Sequence, residues 1–80
     1  MMKIKLFVKA DCPKCPEAKA LAAQLNDVEL YDIGEVNGLA EAAFYGVMSA
    51  PSIVVTDEIG KEMKSWLGVI PNIDELRNVS

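Results

Sequence analysis

The run Lys3-Ile4-Lys5-Leu6-Phe7-Val8-Lys9-Ala10-Asp11-Cys12-Pro13-Lys14-Cys15-Pro16 decides how this chain of 80 residues is read. Ile4, Leu6 and Val8 alternate with Lys3, Lys5 and Lys9, and Phe7 makes the far end apolar on both faces, which predicts a strand. Cys12 and Pro13 then open a helix. Proline suits a first helical position because its missing N–H has no intrahelical partner there. Cys12 and Cys15 are the only cysteines. Two thiols two residues apart at a helix start can form and release a disulfide, and strand–CxxC–helix is the pattern of a dithiol redox site.

Working outward, the helix carries Cys15, Ala18, Ala22 and Leu25 at helical spacing with Leu21 beside them, while Glu17, Lys19 and Gln24 face away. Asn26-Asp27 is the expected helix end. Val28 to Ile33 reads as a second strand stopped by Gly34. A short helix is expected from about Gly38 to Tyr45, with Leu39, Ala42, Ala43 and Phe44 as its buried candidates and Gly46 as terminator. Pro51 cannot donate a ladder hydrogen bond, so the third strand starts after it, over Ser52 to Thr56. A turn at Asp57–Lys61 leads into a fourth strand, Glu62–Leu67. The last helix opens at Asn72, with Glu75 three residues on as its capping partner. The order β-α-β-α-β-β-α predicts one α/β domain over residues 1–80: a four-stranded mixed sheet flanked by three helices.

Composition narrows the function. The net charge of −4 leaves no basic stripe to displace phosphate counterions, so no nucleic-acid partner is expected. There is no histidine, which excludes His-dependent triads and removes the commonest zinc ligand. No apolar run approaches the roughly 20 residues of a membrane span. The start, Met1 to Val8, is too short and too charged for a signal peptide, so a cytoplasmic location is expected, where a CxxC pair is catalytic or metal-binding more often than structural.

At the site, Cys12 is expected at the helix N-terminus and partly exposed. Orphan N–H groups and the positive end of the helix dipole favour its thiolate, which makes it the nucleophile. Cys15, almost a turn further on and inward, is the resolving thiol. The bland alternative is a pair of buried structural cysteines. Pro16, read as the fourth helical residue, removes the first intrahelical bond to the Cys12 carbonyl. This either loosens the first turn or thins the donors around Cys15. Trp66 reads as strand packing. Asp27, Glu29, Glu35, Glu41, Asp57, Glu58 and Glu62 read as a solvated acidic surface. Ala10, Met48, Ala50 and Val69 are candidates for a small apolar docking patch around Cys12.

Phe7 to Cys15 resembles the active-site stretch of the thioredoxin-fold redox proteins, in particular the small glutaredoxins, which carry a lysine three residues before the first cysteine and a proline right after it. The resemblance implies that Lys9 stabilises the Cys12 thiolate. Tyr45-Gly46-Val47-Met48-Ser49-Ala50-Pro51-Ser52 is similar to the family's segment leading into a cis-proline. It implies a cis Ala50–Pro51 peptide facing the cysteines, with the Ala50 backbone free to pair with an extended substrate. Leu67-Gly68 before the Asn72 helix resembles the thioredoxin C-terminal segment. The chain departs from glutaredoxins in having one glycine there, Gly68, followed by Val69-Ile70-Pro71 before Asp74. It departs from thioredoxins in carrying Leu6 where they bury an aspartate and Asp11 where they carry a tryptophan. Compact CPxCP redoxins of archaea and anaerobes share its pattern along nearly the full length.

The expected function is thus a cytoplasmic thiol–disulfide oxidoreductase and electron carrier, monomeric and needing no cofactor or metal. Cys12 and Cys15 are catalytic, with Lys9, Pro13, Ala50 and Pro51 in support. Its expected partners are a disulfide-containing protein substrate and a reductase or small-thiol electron donor. The alternatives are a dimeric metal or iron–sulfur carrier bridging two chains through the cysteines, and a non-catalytic thioredoxin-like binding module.

Overall fold

The computed structural model describes residues 3–25 and 28–79. Its elements are β1 (Lys3–Val8), α1 (Cys15–Ala22), β2 (Val28–Asp32), α2 (Val36–Phe44), β3 (Ser52–Thr56), β4 (Glu62–Leu67) and α3 (Ile73–Val79). The sheet order is β2-β1-β3-β4, with β1 parallel to β2 and antiparallel to β3, and β4 antiparallel to β3. This is the expected α/β architecture in the expected order.

β1 and β3 are the central strands, and both sheet faces are covered, so they are buried along almost their whole length. Ile4, Leu6, Val8, Ile53 and Val55 point to one face and pack with Ala18 of α1, Leu76 of α3 and both cysteines. Phe7 and Val54 point to the other and pack with Ala42 of α2 and Val47. Double coverage corrects one expectation. Lys5 alternates as predicted, but the face it alternates to lies beneath α2, and Lys5 is buried.

Its ammonium is held by three oxygens: Glu29 Oε1 at 2.8 Å, Glu41 Oε1 at 3.0 Å and the Tyr31 hydroxyl at 3.3 Å. Tyr31 donates in turn to Glu29 Oε1 at 3.0 Å and stacks on Phe7 at 5.3 Å between ring centroids. Burial opposes the charge on Lys5, but the bonds to Glu29, Glu41 and Tyr31 outweigh it and hold its pKa well above the ordinary lysine value. Glu29 and Glu41, read as solvated surface, are therefore ligands of an internal cation.

The burial within α2 also differs from expectation. Of Leu39, Ala42, Ala43 and Phe44, only Ala42 is buried. The cause is at Gly38, where a Cβ would stand 1.9 Å from the Asp32 carbonyl oxygen. The helix backbone lies so close to β2 that its inward face admits only Gly38, Ala42 and the side chain of Glu41, and the large apolar residues turn outward. The helix ends as predicted around Gly46, with Val47 N–H on Ala42 O at 2.8 Å and Gly46 N–H on Ala43 O at 3.2 Å. In α1 the last helical residue is Ala22, before the expected end. Asn26 and Asp27, the expected terminators, lie outside the described residues.

Candidate active site

β1 delivers the chain to the site and α1 carries it away. Between them, Lys9 to Lys14 form a turn with Lys14 as helix N-cap. The helix therefore starts at Cys15, not at Pro13, which is a correction. Pro16, not Pro13, takes the tolerated place in the first helical turn. The first helical bond runs from Ala18 N–H to Lys14 O at 3.1 Å, and the Cys12 carbonyl accepts the Cys15 N–H at 3.4 Å. Pro16 thus leaves no helical partner wanting.

Cys12 is 7% exposed and Cys15 3%. Both are free thiols. The outer sulfur is more covered than the expected partial exposure, because the turn folds it onto the apolar cluster of Leu6, Val8 and Ile53. Within that shell the two thiols influence each other, and their pKa values move apart. Desolvation pushes Cys12 up, but it is outweighed by the bond from Cys15, the backbone N–H groups of Lys14 and Cys15, and the charge of Lys9; the net direction is down from 9.0. Cys15 goes the other way. Desolvation and the bond to Cys12 raise it above 9.0, against a backbone bond from Lys9 and the charge of Lys19. The donors that favour the Cys12 thiolate are N–H groups at the helix start, as the sequence implied. Lys9 contributes its charge to one sulfur and its backbone to the other.

The Ala50–Pro51 peptide is cis, as the resemblance implied. Pro51 is buried, and Ala50 packs against the cluster that holds the cysteines. A residue not singled out in the sequence fixes this loop. Ser52, fully buried, donates to the Ser49 carbonyl at 2.7 Å and accepts the Gly68 N–H at 3.0 Å. One hydroxyl thereby ties the loop before Pro51 to the end of β4. Gly68 sits at φ 74°, and a Cβ there would meet Ser49 Oγ at 3.1 Å, so both its conformation and its space call for glycine. A buried serine beside a strand-start proline is the only signal the sequence offers for this strut.

Beside the CxxC turn lies an open cleft of about 530 Å³, lined by Lys14, Glu17, Val69, Ile70, Pro71 and Asn72. Its far wall is the start of α3, where Asn72 Oδ1 accepts the Glu75 N–H at 2.9 Å as the capping pair predicted. Of the expected docking patch, Met48, Val69 and Ala10 are exposed and Ala50 is half-buried. Trp66 is half-buried and packs on the cysteine-side cluster, with the Lys64 ammonium 5.2 Å from its ring centre, which fits the packing role. Among the described residues, no group of three or more Cys, Asp or Glu could hold a metal ion, and no helix is long and apolar enough to cross a membrane.

Known proteins resemble the chain in sequence and in fold. A protein named thioredoxin from Methanocaldococcus jannaschii is 32% identical over 63 residues, covering 72% of this chain and 74% of that one. A thioredoxin-like protein from Clostridium perfringens superposes with a TM-score of 0.77 at 16% identity, over 99% of this chain and 68% of that one. A thioredoxin from Thermus thermophilus gives 0.69 at 20% identity, over 98% and 70%. At those identities the two structures establish the fold. The family model described as the thioredoxin domain matches residues 2–79. With the fold, the CxxC turn and the cis-proline loop in place, this chain belongs to the thioredoxin-domain family, the thioredoxin-fold redoxins.

Proposed function

We propose that the chain is a dithiol–disulfide oxidoreductase that reduces protein disulfides in the cytoplasm, with Cys12 as nucleophile and Cys15 as resolving thiol. The observation that carries the reading is the CxxC pair held as two free thiols at the start of α1, against the apolar cluster that also packs Ala50 of the cis-proline loop, with Cys12 favoured as the thiolate and Cys15 as the thiol. The pair supplies one ready thiolate and one reserve thiol at the same pH. The thioredoxin name of the archaeal relative supports the same class of activity.

In the first step the Cys12 thiolate attacks one sulfur of a substrate disulfide RS–SR′. A Cys12–SR bond forms, the S–S bond breaks, and R′S⁻ leaves. Cys15 then gives its proton to that thiolate and attacks the Cys12 sulfur. The Cys12–Cys15 disulfide forms and RS⁻ leaves to be protonated by solvent. Two electrons have passed to the substrate, and a reductase or a small thiol must return them. Lys9 favours the attacking thiolate by its charge. The Ala50–Pro51 segment, steadied by Ser52, offers backbone to an extended substrate, and Pro13 shapes the turn that presents Cys12.

The test is a pair of serine variants. Cys12→Ser should reduce insulin disulfides only at the uncatalysed rate, and Cys15→Ser should accumulate a covalent mixed disulfide visible on a non-reducing gel. Turnover retained in Cys12→Ser would refute the assignment. Absence of turnover in the wild type, with a Cys12 pKa at its ordinary value, would favour the binding module. Zinc or iron–sulfur bound at half an equivalent per chain would favour the carrier. Running the assay with glutathione and with a thioredoxin reductase separates the two classes of donor.

A further inference from the structure

Helix α2 carries its charge inside and its apolar residues outside. Glu41 is the only ionisable residue between Val36 and Phe44, and it reaches inward to Lys5 at 3.0 Å. On the outer side Val36, Leu39, Ala40, Ala43 and Phe44 recur at i, i+3, i+4, i+7 and i+8, the spacing of an ordinary core-facing stripe. All five are exposed, Val36 by 84%, Leu39 by 58% and Phe44 by 76%. Together they present roughly 500 Å² of uncharged surface, within the range of patches that tend to be functional.

We propose that this face is the interface of a symmetric homodimer, in which a second copy lays its α2 antiparallel across the first with the two-fold axis at Ala40. Residues equally distant from Ala40 then meet, so Val36 packs on the partner's Phe44 and Phe44 on the partner's Val36. Ala40 and Ala43 at the crossing let the helices approach to about 8 Å. Antiparallel helices also oppose their dipoles favourably.

Charge restricts which face a second copy can use. The chain carries −4, so a copy can dock only through a face that brings no carboxylates together. The inward turn of Glu41 onto Lys5 leaves the outer face of α2 in that condition. Area sets the strength. Two such patches bury roughly 1,000 Å², at the threshold for a specific contact, which makes a reversible dimer of micromolar or weaker affinity in place of the expected monomer. The cysteines lie on the opposite face of the sheet. Both redox sites therefore stay open in the dimer, and it does not bring the two cysteine pairs together.

Sedimentation equilibrium from low-micromolar to near-millimolar chain tests this. The apparent mass should rise from one chain toward two with concentration, and the rise should start at lower concentration in high salt, which screens the net charge. Ala40→Glu keeps a good helix former at an exposed site but sets two carboxylates at the axis, and it should stay at one chain mass with unchanged circular dichroism and unchanged disulfide reductase rate. A single-chain mass for the wild type at every concentration and salt would overturn the proposal. So would a dimer that Ala40→Glu leaves intact, which would place the contact elsewhere, or higher assemblies without a two-chain plateau.

Discussion

The two faces of this sheet are covered by opposite means. On the cysteine side, α1 and α3 lay Ala18 and Leu76 on Ile4, Leu6, Val8, Ile53 and Val55, a continuous apolar layer whose functional polar groups are two sulfurs. On the other side, α2 is held down by a buried lysine, two glutamates and two tyrosines around a small apolar nucleus of Phe7, Ala42, Val47 and Val54. An apolar layer leaves the thiols to be tuned by each other and by the nearby N–H groups and charges. A packed ion cluster needs close backbone approach, and that approach drives the large residues of α2 to the surface. The same residue type, leucine on a helix, is core on one face at Leu76 and surface on the other at Leu39.

The contrast breaks most sharply at paired leucines. Leu76→Ala empties a fully buried site and should cost about 2–5 kcal/mol, measured by urea unfolding. Leu39→Ala, at the same helical spacing on the other face, should fall within about 0.5 kcal/mol in dilute solution. Comparable losses at both would mean that α2 buries its stripe after all.

The ion cluster is next. Lys5→Met leaves Glu29 and Glu41 near each other without their cation. A broken buried pair costs about 3–5 kcal/mol, but these carboxylates are 42% and 33% exposed, which reduces the expected loss to about 1–3 kcal/mol. The pH dependence fixes the sign. The bond from Lys5 holds Glu29 below its ordinary value of 4.5, so the unfolded chain takes up that proton first. Its contribution is present above 4.5 and is lost as pH falls through the lower folded value. Acid unfolding of Lys5→Met should therefore show a shallower stability loss below 4.5 than the wild type. Identical acid limbs would remove Lys5 from the account.

The smallest effect sharpens the reason α2 is inverted. Alanine normally stabilises a helix interior by about 1 kcal/mol over glycine. At Gly38 the added methyl meets the Asp32 backbone, so Gly38→Ala should instead destabilise by about 1–2 kcal/mol. A stabilised Gly38→Ala would mean that the helix can lift from β2.

The cysteine side was largely legible in the sequence. Alternation in β1, helical spacing from Cys15 to Leu25, the proline before β3 and the Asn72–Glu75 cap each signal through local chemistry, and the element order follows from them. Three things were not legible locally. A periodicity cannot say which helical stripe meets the sheet, because that depends on a close approach at Gly38 set by a different element. Lys5 reads as an outward strand lysine until the sheet is known to be covered on both sides, with its partners 24 and 36 residues away. The start of α1 shifts by a fraction of a turn because either of two prolines, Pro13 or Pro16, satisfies the rule for a first-turn proline. The cis peptide at Ala50–Pro51 is implied by family resemblance, while the Ser52 strut beside it is visible only in the folded chain.

The redox assignment requires the two thiols of one turn to titrate in opposite directions. The direct measurement is the rate of alkylation by iodoacetamide against pH, followed separately at Cys12 and Cys15 by peptide mass spectrometry. An inflection below 9.0 is expected for Cys12, with reactivity lost as pH falls through it, and one above 9.0 for Cys15. A single shared inflection at the ordinary thiol value, or the reverse order, would contradict the assignment.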